Sequence, residues 1–462
     1  MTEQSTAAIS GGRRSPDQDS RETESGPERK PSSRMTRVRW LMAFLCFAGL
    51  AINYIDRANL SVALPFVTKD FHLDPIQAGL LLGAFSWTYT AFQVPGGWFI
   101  DRFGAKIIFP IAVGLWSLFT IVTAFCTSFT SFFIARLGLG IGESGAYPAS
   151  AKVVSTWFPA SERGKATAFY DSGARIGSAL AVPIVAFIIA GYGWQAAFII
   201  TGLLGLLWVL GWFVAYRDPE KHRKVNSAEL DHIRNTEAVD DGASAVKEIP
   251  GFRWWHLFRY RAVWAMMIGF FCINFVITFF LTWFPSYLIQ ERGFDLLKVG
   301  MFGAIPGLCS ILGGFASGIY ADRLIRRGAT VTRARKTCLV VGMLGSSVIA
   351  LAVVVPNAAL ALALLSLSYA FLVFAMVALW CLPADFAPSA RQVASLGGIQ
   401  NGFGNIASIL SPVFLGILQS ITGSFALPLI IAGMVAVAGA ACFAFLLPKV
   451  QPLEIKAKET LV

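Results

Sequence analysis

Gly97-Trp98-Phe99-Ile100-Asp101-Arg102-Phe103-Gly104-Ala105-Lys106 places one acid, two bases and two bracketing glycines in a very short connection between two long apolar runs. The pattern returns 221 residues on, where Gly318-Ile319-Tyr320-Ala321-Asp322-Arg323 closes another apolar run. The same shift carries Val38, where the first run begins, to Arg259, where the seventh begins. A motif repeated at this distance within matching hydropathy marks two structural repeats, each too short of polar surface to stand in water. The expected architecture is an all-α membrane protein of twelve transmembrane helices in two six-helix halves.

Outward from the repeat, apolar runs fall at 38–66, 76–100, 107–127, 130–152, 163–190, 194–216, 260–290, 296–321, 335–356, 357–384, 392–420 and 424–447. At 1.5 Å per residue each is long enough to cross about 30 Å of hydrocarbon. The composition agrees: 55% of the 462 residues are hydrophobic and 14% charged, against about 25% charged in a soluble protein. Mean hydropathy is +0.62. The expected divisions are a disordered cytoplasmic tail over 1–37, an N-terminal half over 38–216, a cytoplasmic linker over 217–259, a C-terminal half over 260–447 and a short tail over 448–462. Residues 1–35 are rich in Ser, Glu, Arg and Pro and have no short apolar core of a secretory signal. Ser227-Ala228-Glu229-Leu230 in the linker reads as the start of a surface helix.

The formal net charge is +11, which in a soluble chain would raise a nucleic-acid partner, but here the basic residues sit in short loops. Arg102 and Lys106, Arg163 and Lys165, and Arg323, Arg326, Arg327, Arg333, Arg335 and Lys336 follow even-numbered runs. Lys and Arg accumulate on the cytoplasmic side of membrane proteins. The expected placement is therefore multi-pass in a bacterial inner membrane with both termini cytoplasmic, in contact with lipid and not with nucleic acid. The seven cysteines lie in or beside apolar runs without metal-ligand or disulfide spacing, and no catalytic triad or phosphate loop appears. No enzyme, cofactor or metal is expected.

Chemistry is expected where polar groups enter the bilayer, since a charged residue at mid-helix costs about 2.5 kcal/mol or more. Run one carries Asn53-Tyr54-Ile55-Asp56-Arg57-Ala58-Asn59; Asp56 and Arg57 point about 100° apart and suit separate partners. Run four places Arg136 and Glu143 seven positions apart on one face, among Gly138, Gly140, Gly142 and Gly145, which admit a close neighbour. A buried carboxylate such as Glu143 is a natural proton carrier. Run two aligns Ser86, Tyr89 and Gln93 as a substrate wall. Asp171 and Arg175 in run five are either an intrahelical ion pair or cavity lining. Gln400, Asn401 and Asn405 offer amides to a hydroxylated ligand, and Trp380 packs on the ligand or fills the core. Gly97, Asp101, Arg102, Gly104, Asp322 and Arg323 read as a cytoplasmic latch, with Gly97 permitting close helix approach and Asp101 pairing with basic groups or a helix N-terminus.

At Asn53-Tyr54-Ile55-Asp56-Arg57-Ala58-Asn59-Leu60, Gln93-Val94-Pro95-Gly96-Gly97-Trp98-Phe99, Ser155-Thr156-Trp157-Phe158-Pro159 and Phe280-Leu281-Thr282-Trp283-Phe284-Pro285, the chain resembles the anion:cation symporter family of the major facilitator superfamily, especially bacterial galactonate and glucarate transporters. The resemblance spans nearly all of 38–447. It implies that Asp56 and Glu143 take up protons, that Arg136 tunes Glu143, that Arg57 meets the substrate carboxylate, and that Tyr54, Tyr89, Trp380 and Asn401 stand near the ligand. It departs from the galactonate-like members at Ala174, where they carry glutamine, which opens the choice of substrate to other hydroxy acids, aldarates, uronates or aromatic acids. The expected activity is proton-coupled import of a small organic anion by a monomer working through alternating access. An exchanger or uniporter of another carboxylate, and a membrane sensor of such acids, are the alternatives.

Overall fold

The computed structural model describes residues 35–234, 254–388 and 390–453. The expected N-terminal tail before residue 35, the middle of the linker and the chain after residue 453 lie outside the described residues. Everything regular among the described residues is helical. Span one is Val38–Asp70, span two Pro75–Phe103, span three Ala105–Thr123, span five Ala160–Tyr192 and span six Trp194–Ala215. Span ten is Ala358–Phe386 and span eleven Ala390–Thr422.

Five of the twelve are not uniform α-helices. Span four, expected as one helix over 130–152, is Phe129–Glu143 followed by Ala146–Trp157, with a turn at Ser144 and Gly145. Span seven breaks at Trp283 into Arg261–Thr282 and Phe284–Gln290, where Pro285 sits in the first turn of the second piece and lacks the N–H that would continue the first. Span eight is Leu296–Phe302 then Ile305–Arg326. Span nine is Val331–Ser346 tightening into a 3-10 helix over Ser347–Val353, and span twelve is Ala426–Ala441 relaxing into a π-helix over Cys442–Leu446.

Among the described residues, ten helices are long and apolar enough to cross a membrane. The two crossings that fall short are spans two and four, because span two carries Gln77, Thr88, Tyr89, Thr90 and Gln93 and span four is divided and holds Arg136, Glu143 and Lys152.

The packing repeats as the sequence does. Span one lies along five and seven along eleven; two lies against four and eight against ten; three against six and nine against twelve. The halves meet through spans two and eleven, spans five and eight, and spans one and seven. These contacts are backbone-close at the end opposite the basic loops: a Cβ on Gly79 would stand 2.5 Å from the Pro412 carbonyl oxygen, and the Ser61 hydroxyl donates to the Thr282 carbonyl at 2.9 Å. At the basic end a Cβ on Gly97 or Gly318 would meet nothing within 4 Å. The expectation that Gly97 lets helices approach is therefore not met in this conformation: the halves stand apart there, and the glycine borders open space.

The linker helix Ser227–Arg234 is pinned to the basic end of the bundle. Fully buried Glu229 accepts hydrogen bonds from the Thr36 hydroxyl at 2.6 Å, the Val38 and Arg39 amides at 3.1 Å and the Arg39 guanidinium at 3.1 Å. It supplies from another segment the anion that the orphan N–H groups of span one require.

Candidate functional site

Span one runs deep in the N-terminal half, and Asn53, Asp56 and Asn59 are buried along it. Arg57, one position round from Asp56, turns toward spans two and four. Its Nε donates to Glu143 Oε2 at 2.6 Å, with the Arg57 side chain 23% exposed and the Glu143 side chain fully enclosed. The guanidinium carbon lies 4.8 Å from the Tyr54 ring centre, 4.9 Å from Phe85 and 4.7 Å from Tyr89. Three aromatic faces thus hold one cation, each favourable by about 0.5–2 kcal/mol, while Arg57 Nη2 has no hydrogen-bond partner. Glycines bring the elements this close: a Cβ on Gly140 would fall 2.3 Å from Thr88 Oγ1 and 2.4 Å from the Phe85 carbonyl oxygen.

The other buried charged and amide groups are held differently. Both Asp56 carboxylate oxygens lack a hydrogen-bond partner, with Thr201 and Trp116 as polar neighbours. Glu143 Oε1 and both side-chain polar atoms of Asn53 are also unpartnered. Arg136 is buried with Nε and Nη1 free, its guanidinium carbon 5.5 Å from the Phe85 ring centre. Two carboxylates and two guanidiniums therefore share one enclosure with a single direct ion pair among them. Glu143 has its direct partner in Arg57 rather than Arg136, which the i, i+7 spacing alone did not reveal. A buried charge without a partner costs several kcal/mol, so the arrangement favours arrival of a proton, an anion, or both.

A second string of polar groups leads away from Arg57. The Tyr54 and Tyr147 hydroxyls are 3.4 Å apart, the Tyr147 hydroxyl donates to Asp171 Oδ1 at 3.2 Å, and Asp171 Oδ2 accepts from Arg175 Nε at 3.1 Å and Nη2 at 3.0 Å. Asp171 and Arg175 therefore do form an i, i+4 ion pair. Tyr147 escaped the sequence reading; its signal was the break at Ser144-Gly145, which restarts span four and presents the next turn to span five. Tyr369 of span ten stands within electrostatic range of Tyr54 from the other half, stacked on Phe280 at 4.5 Å.

In the C-terminal half, Trp380 lies eleven residues after Tyr369 and so on the same face of span ten, three turns nearer the basic end. It is 45% exposed, with its ring 5.3 Å from Phe270. Asn401 is half-buried, and its neighbour Gln400 is fully buried with both amide atoms unpartnered. Of the latch residues, Asp101 Oδ1 takes Lys152 Nζ at 3.3 Å, Arg102 lies over the Trp98 and Phe103 rings, and Gly104 has φ 81°, which favours glycine at the turn. Asp322 and Arg323 are exposed and form no ion pair among the described residues.

The sequence profile of the Major Facilitator Superfamily matches residues 46–397. The probable galactarate/D-glucarate transporter of Bacillus subtilis is 34% identical over 93% of this chain and 96% of its own length. The D-galactonate transporter of Escherichia coli O6:H1 is 35% identical over 90% of this chain and 97% of its own. Among solved structures, an inward-facing, occupied bacterial homologue of the human lysosomal transporter Spinster superposes with a TM-score of 0.72 at 17% identity, covering 89% of this chain and 97% of the other.

Proposed function

This chain belongs to the Major Facilitator Superfamily, and from that premise we propose that it is a proton-coupled symporter importing a sugar acid of the galactarate, glucarate, galactonate or hexuronate type. It is a multi-pass membrane transporter and not an enzyme. The observation that carries the proposal is the enclosed Arg57–Glu143 ion pair beside an unpartnered Asp56.

The chemistry follows from competition for one cation. While Glu143 is ionised it occupies Arg57, and an incoming carboxylate must displace it. A proton on Glu143 removes that competitor and leaves Arg57 to the anion, so the proton and the substrate favour each other's binding. Tyr54 and Tyr89 flank Arg57 and offer hydroxyls to a hydroxylated acid. Asp56 is the second proton acceptor, and Arg136 supplies positive charge to the same enclosure. Trp380 and Asn401 belong to the opposite wall.

With the basic loops on the cytoplasmic side, both termini are cytoplasmic and the separated end faces the cytoplasm of a bacterial inner membrane. Rocking of the halves about their contacts at Gly79 and at Gly416, where a Cβ would fall 2.3 Å from the Pro75 carbonyl oxygen, then exposes the site to either side in turn, with the residues at Gly97 and Gly318 approaching when the cytoplasmic side closes. An inside-negative potential opposes anion entry by about 2.3 kcal/mol per charge per 100 mV, which co-transported protons offset. One chain holds the whole pathway, so a monomer suffices.

The test is uptake of labelled D-glucarate and D-galactonate into proteoliposomes under an imposed inward proton gradient. Gradient-dependent uptake in the wild type that disappears in Arg57→Ala is the expected result. Uptake indifferent to the gradient overturns proton coupling and identifies a facilitator or exchanger.

A further inference from the structure

We infer that Arg175 is the far anion-binding pole of the same cavity, so that the preferred substrate is a hydroxylated diacid with one carboxylate on Arg57 and the other on Arg175. The inference rests on the transport reading above and adds the charge of the cargo.

In span five, Val182 and Ala186 meet Gly303 and Gly300 of span eight, at the end where the halves touch. Arg175 precedes these by seven and eleven residues and Asp171 precedes Arg175 by four, so all four share one stripe. Arg175 stands about 10 Å along the helix from Val182 toward the basic end, where the halves are apart. The stripe that seals against the other half at one end therefore borders the gap at Arg175. The exposed apolar residues Phe169, Ile176, Leu180 and Phe187 lie roughly 120° round the helix, so the ion pair is not on the face that span five gives to lipid.

Arg175 is held by partners on one side only. Its side chain is 60% exposed, and the guanidinium is gripped from one side by Asp171, through Nε and Nη2. Asp171 is itself held by the Tyr147 hydroxyl. This fixes the guanidinium while leaving donors toward the gap, as a planar fork suited to a second carboxylate. Between the two guanidiniums stand the hydroxyls of Tyr147 and Tyr54, the latter with its ring under Arg57. A cation at each end with hydroxyls between them complements an acid at each end of a polyhydroxyl chain. A bare surface ion pair has no need of a tyrosine string ending on the substrate arginine. On arrival of the diacid, its distal carboxylate shares or replaces Asp171 at Arg175, and its hydroxyls meet the two tyrosines.

The experiment compares D-glucarate with D-gluconate, the same carbon chain with one terminal carboxylate replaced by a hydroxymethyl group, as competitors of labelled substrate in proteoliposomes at pH 7. The wild type is expected to prefer the diacid. Arg175→Met is expected to shrink that preference by about tenfold or more, the worth of a charged hydrogen bond. Arg175→Lys restores part of it, and Asp171→Asn, which removes the internal competitor, raises it. An unchanged ratio in Arg175→Met, or equal competition by both acids in the wild type, overturns the diacid assignment while leaving sugar-acid transport in place. Failure of both acids to compete in the wild type overturns both readings together.

Discussion

Replacing Glu143 by Gln imitates a permanently protonated carboxyl while keeping the side chain's size, and it removes the direct ionic partner of Arg57. At 2.6 Å and an effective dielectric of about 20, the lost attraction is about 6 kcal/mol before solvation. The cost of stripping one member from a buried pair is about 3–5 kcal/mol. Arg57 is partly exposed and faces three aromatic rings, so the lower end, about 3 kcal/mol, applies. A substrate carboxylate that replaces the missing charge recovers this energy, and so its affinity at neutral pH rises by roughly 100-fold. Three measurements follow on one purified preparation. Isothermal binding of D-glucarate across pH gives tighter binding that no longer varies with the ionisation of Glu143. Counterflow exchange of labelled for unlabelled substrate persists, because it requires no net proton movement. Accumulation driven by an imposed proton gradient disappears. Retention of gradient-driven accumulation refutes Glu143 as a coupling residue. Loss of counterflow together with binding, in a variant that remains folded, refutes the competition mechanism and leaves the pair a structural clamp.

Other consequences are more local. Gly140→Ala forces a methyl against Thr88 and the Phe85 carbonyl; it is expected to destabilise by about 1–3 kcal/mol and to shift Phe85 away from Arg57, seen as a lower unfolding midpoint in detergent and weaker substrate binding. Gly97→Ala meets open space in this conformation, so stability should stay within about 0.5 kcal/mol while transport falls as the basic end closes; wild-type uptake in that variant removes Gly97 from the latch. Asp101→Asn breaks an exposed pair with Lys152 worth under about 1 kcal/mol, and should likewise leave the unfolding midpoint alone while slowing uptake. Glu229→Ala deprives the start of span one of its buried anion and is expected to cost roughly 2–3 kcal/mol, read as a lower unfolding midpoint and faster proteolysis of the linker.

The sequence by itself determined the crossings and their repetition. Hydropathy over a span-length window is a one-dimensional property, and the recurrence of Gly97-x3-Asp101-Arg102 at Gly318 needs no coordinates. It also located the polar stations, because a charge inside an apolar run is costly wherever the helix packs; Asp56, Arg57, Arg136 and Glu143 stand out on that ground alone. It did not determine who meets whom. Seven residues separate Arg136 from Glu143 on one helix, yet Glu143 pairs with Arg57 on another, because the rotation and crossing of spans one, two and four are set by glycine contacts such as Gly140 against Phe85. The link from Tyr54 through Tyr147 to Asp171 arises from a break in span four whose only trace in the sequence is Ser144-Gly145. The separation at Gly97 and Gly318 belongs to one conformation of the bundle. These are relations between helices, decided by where rigid cylinders touch, and only the tertiary structure carries that information.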